Sequence, residues 1–182
     1  MSIIDDFSRK VWVWILKEKS ETFDRFKTWC KAVEVEKGYG LKCLRTDNGL
    51  EFLSKEFDSF CKVKGIKRHR TAPGNPQQNG TAERMNRTLL ERVRCMMLTA
   101  GVPKKFWAEA VSTAAKLINK CPSSAIAHDT PDNRWYGNLG GYQKLKIFGC
   151  RAFAHIRQGK LEPRALKCIF LGYQDGVKGY RL

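Results

Sequence analysis

A helix-period segment set between strand-period segments fills the first seventy residues, and that order restricts the fold more than any other property of the chain. Ile3 and Ile4 lead into a turn at residues 5–9, and an apolar run follows over residues 11–16, so two strands around a turn are expected. Ser20 is then placed as an N-cap. Phe23, Phe26, Cys30 and Val33 recur at three- and four-residue intervals until Gly38 supplies a stop, which describes an amphipathic helix. Residues 41–46 read as a strand, Ser54 as the cap of a shorter helix carrying Phe57, Phe60 and Cys61 and ended by Gly65, and residues 66–70 as another short strand. Strands alternating with helices in this way form an α/β layer in which acidic residues at strand ends and helix starts can meet on one edge.

Residues 72–80 are so dense in turn formers that regular structure is excluded there. A long helix follows from Thr81 to about Ala100, striped by Ala82, Met85, Leu89, Val93, Met96 and Ala100, and Gly101-Val102-Pro103 ends it. A second helix, apolar at Phe106, Ala110, Val111, Ala114, Leu117 and Ile118, runs to Cys121-Pro122. Residues 122–142 are turn-rich and aperiodic and read as a linker. The strand-like runs 147–148, 151–156, 167–171 and 179–182 then read as part of a small β-barrel. Three regions are expected, at residues 1–121, 122–142 and 143–182.

The composition is globular, with 42% hydrophobic and 29% charged residues. Thirty-four Lys and Arg against 18 Asp and Glu give a net charge of +16, spread from Arg9 to Arg181, which points to a polyanionic partner such as nucleic acid. The seven cysteines have no CxxC pair and the three histidines are scattered, so zinc is not expected; the odd count reads as reduced thiols of an intracellular protein. No stretch reaches membrane-spanning length, and the first ten residues lack the features of a secretion signal. The tryptophans Trp12, Trp14, Trp29, Trp107 and Trp135 could stack on unpaired bases, although core packing is the simpler expectation.

Two carboxylates have the placement that chemistry on phosphate requires. Asp47 ends the strand 41–46 ahead of Asn48-Gly49, and Glu83 lies in the first turn of the long helix. Carboxylates on separate elements bind Mg²⁺ without filling its coordination sphere, leaving room for water and a phosphate. Each residue also has a structural reading. Asp-Asn-Gly is a common turn, and Glu83 can complement the helix dipole or pair with Arg87 one turn on.

Thirty-five residues separate Asp47 from Glu83, and the flanks read Thr46-Asp47-Asn48-Gly49-Leu50-Glu51-Phe52 and Pro76-Gln77-Gln78-Asn79-Gly80-Thr81-Ala82-Glu83-Arg84-Met85-Asn86-Arg87-Thr88. This resembles the aspartate, aspartate, 35 residues, glutamate signature of retroviral and retrotransposon integrases. Ile4-Asp5-Asp6-Phe7-Ser8-Arg9 is similar to the second strand of copia-type integrase cores, and Phe106-Trp107-Ala108-Glu109-Ala110 to the helix after the catalytic one. The runs Phe148-Gly149-Cys150 and Lys167-Cys168-Ile169-Phe170-Leu171-Gly172-Tyr173 resemble the small Src-homology-3-like barrel that follows the core in copia-type Pol polyproteins.

The resemblance implies a ribonuclease-H-like mixed sheet flanked by helices, with a partial barrel at the C-terminus, and the activity of a polynucleotidyl transferase that trims a DNA 3′ end and joins it to target DNA. Asp47 and Glu83 would be catalytic and would hold Mg²⁺ or Mn²⁺, two ions in the intact parent. The family's first metal-binding aspartate lies on the strand before the one carrying Asp5 and Asp6. The chain therefore reads as N-terminally truncated, with that strand missing, and Asp5 and Asp6 read as turn-capping residues. DNA contact is expected at Asn79, Arg84, Asn86, Arg87, Lys67, Arg68 and Arg70, some of whose charges will only be solvated. The implied partners are retrotransposon ends and target DNA, with a homo-oligomer in the parent and no membrane. DNA joining implies the nucleus; otherwise the chain is cytoplasmic and not secreted. With one of three metal ligands missing, this fragment is expected to be inactive alone, and two rival readings stay open: a catalytically dead DNA-binding remnant, and a ribonuclease-H-type nuclease.

Overall fold

A computed structural model describes residues 1–71, 79–137, 141–157, 159, 162–174, 176 and 178–182. Its contacts gather into two units, one of Met1 with Trp14–Met85 and the other of Ser2–Val13 with Asn86–Leu182.

In the first unit the sequence pattern is realised with small shifts at its ends. The helix α1 spans Thr22–Lys37 and stops at Gly38, whose φ of 74° is the left-handed conformation that glycine adopts without strain. Its start differs from expectation. A single 3-10 turn, Lys19–Glu21, precedes it, and the side chains of Glu18 and Glu21 make the capping box, while the Ser20 hydroxyl bonds Glu18 at 3.2 Å. Glu21 is the N-cap of α1. Two carboxylates serve the turn where the expectation placed one hydroxyl. Strand β3 (Cys43–Thr46) then pairs in parallel with β4 (Lys67–Arg70), joined through α2 (Lys55–Val63). Ser54 caps α2 as expected, its hydroxyl accepting from the Phe57 amide at 3.2 Å.

The core between α1 and α2 is aromatic. Phe57 is fully buried and stacks on Phe26 at 4.9 Å, with Phe23 and Phe52 closing around it. Cys30 and Cys61 lie one turn beyond that stack on their respective helices, both buried, and burial pushes the Cys30 thiol up to about 12 and raises that of Cys61. They stay protonated and act as small apolar side chains.

The second unit opens on the hairpin of β1 (Ser2–Ile4) and β2 (Val11–Val13), antiparallel in the register Ile4 to Val11. A single carboxylate fixes its turn: Asp5 accepts from both the amide and the hydroxyl of Ser8 at 2.7 Å, and Asp6 pairs with Arg9. Asp5 thus caps the turn as expected, whereas Asp6, expected to do the same, pairs with the Arg9 side chain instead. On the outer edge of β2, where a further strand would lie, the Asn119 side chain stands in for a peptide. Its oxygen accepts from the Val11 amide and its nitrogen donates to the Val11 carbonyl, each at 2.8 Å.

Asn119 belongs to α4 (Trp107–Lys120), which follows α3 (Gly80–Ala100) and packs against β2. Of the stripe expected along α3, Leu89 and Val93 are buried. Trp107, expected in the core, is 51% exposed, whereas Trp12 meets Trp135 edge-to-face at 4.9 Å. The segment expected to be an aperiodic linker contains a short helix, α5 (Pro131–Tyr136), with Thr130 capping the Asn133 amide and proline at its first position. Asp132 on α5 pairs with the buried Lys10 and with Lys120 at 3.5 Å, which ties the helix to the hairpin and to α4.

The C-terminal strands form β5 (Arg151–His155) with β6 (Ala165–Ile169), and β7 (Gly172–Tyr173) with β8 (Tyr180–Arg181), both antiparallel. Residues 147–148 are not a strand: Ile147 is exposed and Phe148 is buried ahead of a turn at Gly149. Among the described residues, then, the mixed α/β composition is realised as four two-stranded pairs, one parallel and three antiparallel.

Candidate active site and nucleic-acid interface

Asp47 follows the last residue of β3, where a parallel strand delivers its chain to the sheet edge, and its side chain is exposed. One carboxylate oxygen accepts from the Gly49 amide at 3.1 Å, and the neighbouring Asn48 amide donates to the Thr71 carbonyl at 3.0 Å. The turn chemistry and the ligand placement are therefore compatible, because a carboxylate has further lone pairs to offer. Glu83 is exposed in the first turn of α3. Among the described residues neither Asp47 nor Glu83 is in a salt bridge, so the pairing of Glu83 with Arg87 that the helix spacing permits is not made. Both residues lie in the first unit. Two unpaired hard oxygen donors suit a divalent cation such as Mg²⁺. They do not complete a three-carboxylate site, and among the described residues no three His, Cys, Asp or Glu side chains gather.

The residues expected to touch DNA fall into different situations. Arg87 is exposed, and Arg84 is exposed with its guanidinium folded toward Gly80, 3.2 Å from where a Cβ there would sit. Asn79 immediately precedes α3, and Asn86 accepts from the Ser2 hydroxyl at 2.8 Å. Most of the turn-dense segment, residues 72–78, lies outside the described residues. Lys67 is exposed on β4. Arg68 is different: it donates to Asp58 and, at 2.7 Å, to the Phe52 carbonyl, and its guanidinium lies 4.7 Å from the Phe57 ring centre. Arg70 also donates to Asp58, at 2.8 and 3.0 Å. These bonds hold the Asp58 carboxyl below the usual carboxylate range, the Arg70 hydrogen bonds first and the Arg68 bond second. Asp58 was not singled out from the sequence, because its partners lie ten and twelve positions away on another element.

Comparison with known families decides the broader assignment. Residues 1–76 match an integrase core domain, residues 64–106 match a second model of the same description, and residues 150–182 match a retroviral polymerase SH3-like domain. The chain belongs to the integrase core family of copia-type retrotransposon Pol polyproteins. This integrase core is 49% identical over 185 residues to the retrovirus-related Pol polyprotein from transposon TNT 1-94 of Nicotiana tabacum, covering all of this chain and 14% of that protein. It is 33% identical over 180 residues to the corresponding polyprotein from transposon RE2 of Arabidopsis thaliana, covering 97% of this chain and 12% of that one. The integrase core thus spans about an eighth of the length of the curated relatives it matches. Among solved structures it is similar to a simian T-cell lymphotropic virus intasome, at 21% identity and a TM-score of 0.60 over 93% of this chain and 60% of that one. It is also similar to an HTLV-2 integrase catalytic core domain in complex with magnesium, at 25% identity and 0.53 over 72% and 80%. The fold is that of integrase catalytic cores, the ribonuclease-H-like class.

Proposed function

We propose that this integrase core contributes Asp47 and Glu83 to a divalent-metal site for DNA 3′-end processing and strand transfer. The observation that supports it best is that these two carboxylates, with 35 residues between them as in the family signature, are both exposed, in one unit, and in no salt bridge among the described residues. Magnesium, two ions in the parent enzyme, would activate the attacking oxygen and stabilise the leaving one. The chain's own part is to hold ligands and DNA. Asp47 is fixed by its bond to the Gly49 amide, and Glu83 by the first turn of α3. Asn79, Arg84, Asn86, Arg87, Lys67 and Arg70 are the proposed DNA contacts, while Arg68, engaged by Asp58 and Phe52, holds the strand that carries Lys67 and Arg70. We assign residues 1–121 to the core, 122–142 to the connecting segment and 143–182 to the barrel portion. Transposon ends and target DNA are the proposed partners, a homo-oligomer the working form and the nucleus the site of action. Among the described residues, no helix is long and apolar enough to cross a membrane.

The test is joining of a 3′-recessed oligonucleotide to plasmid DNA with Mg²⁺ or Mn²⁺, beside calorimetric Mn²⁺ binding. Asp47→Asn and Glu83→Gln should each abolish joining and weaken Mn²⁺ binding, while DNA binding stays salt-sensitive. Wild-type chain that neither joins DNA nor binds Mn²⁺ would establish the second reading, a DNA-binding remnant without turnover.

A further inference from the structure

On one face of β3 and β4, basic side chains lie together with no carboxylate paired to them among the described residues. Their parallel register sets Cys43 beside Lys67 and Arg45 beside His69, and neighbours in register share a face. All four are exposed. Among the described residues, Arg45, Lys67 and His69 make no ion pair and no side-chain hydrogen bond, in contrast to Arg68 and Arg70, which Asp58 holds. The Arg45 guanidinium and the His69 imidazole thus stand side by side on one face with their N–H donors open to solvent. A cleft of about 520 Å³ is lined there by Arg45, Arg68, His69, Arg70 and Thr71.

The lining identifies the ligand class. Among the described residues, the lining includes no aromatic or aliphatic side chain of the kind that walls a small organic ligand. Guanidinium and imidazole N–H donors with one hydroxyl suit an oxygen-rich anion, and a neutral imidazole still offers one donor. We propose that this cleft seats a phosphodiester of duplex DNA, with Arg45 and His69 as contact residues and with Asp58 and Arg68 as the brace beneath it. Arg45 lies two residues before Asp47, so the seated phosphate would lie on the strand that ends at the proposed metal site. This inference rests on the DNA-binding reading above and adds two residues to it.

The whole 182-residue chain would be titrated against a labelled duplex of random sequence from about 50 to 200 mM salt, where each phosphate contact contributes about 0.9 to the slope of log K against log salt. Arg45→Ala should lower that slope by about 0.9, making the loss of affinity across the range about 3.5-fold smaller. His69→Ala should weaken binding further, and Arg25→Ala on the exposed surface of α1 should leave the slope unchanged. Thermal melts separate the roles, since Arg68→Ala should lower the midpoint and Arg45→Ala should not. Salt-sensitive binding left intact by the Arg45→Ala/His69→Ala double variant would overturn the seat and leave the DNA-binding reading standing. An equal drop for Arg25→Ala would overturn it too, as diffuse charge. Wild-type chain with no salt-sensitive binding would remove both.

Discussion

Replacing Asn119 tests whether a side-chain amide takes the place of a strand at the outer edge of β2. Asn119 is 8% exposed and Val11 1% exposed, so water has little access to either member of the pair. Truncation to alanine leaves the Val11 amide and carbonyl unsatisfied, at about 1–3 kcal/mol each. Alanine recovers only about 0.6 kcal/mol through its better helix propensity. The net loss is then about 2–5 kcal/mol, a large part of the roughly 5–15 kcal/mol that stabilises a domain. Leucine should cost at least as much, because it fills the space that water would need to reach Val11. Aspartate separates the two bonds. It keeps the acceptor for the Val11 amide but, when ionised, presents oxygen to the carbonyl. Its protonated form can donate there, so the folded-state pKa of the introduced carboxyl is raised, and the variant should gain stability as pH falls through that value. Urea unfolding with a constant m-value measures each difference. A loss below about 1 kcal/mol for both alanine and leucine, or no pH response in the aspartate variant, would refute the assignment.

Two further outcomes follow from the same kind of contact. Asp58 has a folded pKa below its unfolded value of about 3.9, so its stabilising contribution is complete above that value and is lost as pH falls through the folded one. Asp58→Asn should therefore flatten the acid limb of a stability profile recorded by urea unfolding. Gly149→Ala should destabilise by about 2–5 kcal/mol in the same assay, since φ is +78° and the new Cβ would lie 2.3 Å from the Ala100 Cβ and 3.2 Å from its Cα.

How much of this was legible in the sequence depended on whether the signal was local. Gly38, Ser54 and Gly65 mark their helix ends because caps act within a few residues, and the alternation of strands and helices up to Arg70 is realised nearly as written. Around Ser20 three residues compete for one role, and the Glu18 and Glu21 pair prevails over the hydroxyl because it satisfies donors at both ends of the turn. Thr130-Pro131 was a readable helix start, hidden by the lack of a long apolar period after it. The roles of Asn119, Asp58 and Asp132 could not be read, because each depends on a partner delivered by another element. The same limit governs the site. Spacing made Asp47 and Glu83 the proposed ligands, whereas the neighbourhood of Arg45 and His69 depends on the register of β3 on β4.

Asp58 and Asp132 have one more consequence in common. Each carboxylate holds two cationic side chains, in a chain with 18 acidic residues against 34 basic ones. Each of these carboxylates cancels only one of the two positive charges it holds, and the chain as a whole keeps a net charge of +16. The field that reaches solvent is consequently positive over long range, and it acts before any contact is made. Encounter with a polyanion should be rapid in dilute buffer and slow steeply as the Debye length shrinks, so kinetics as well as affinity will depend on salt.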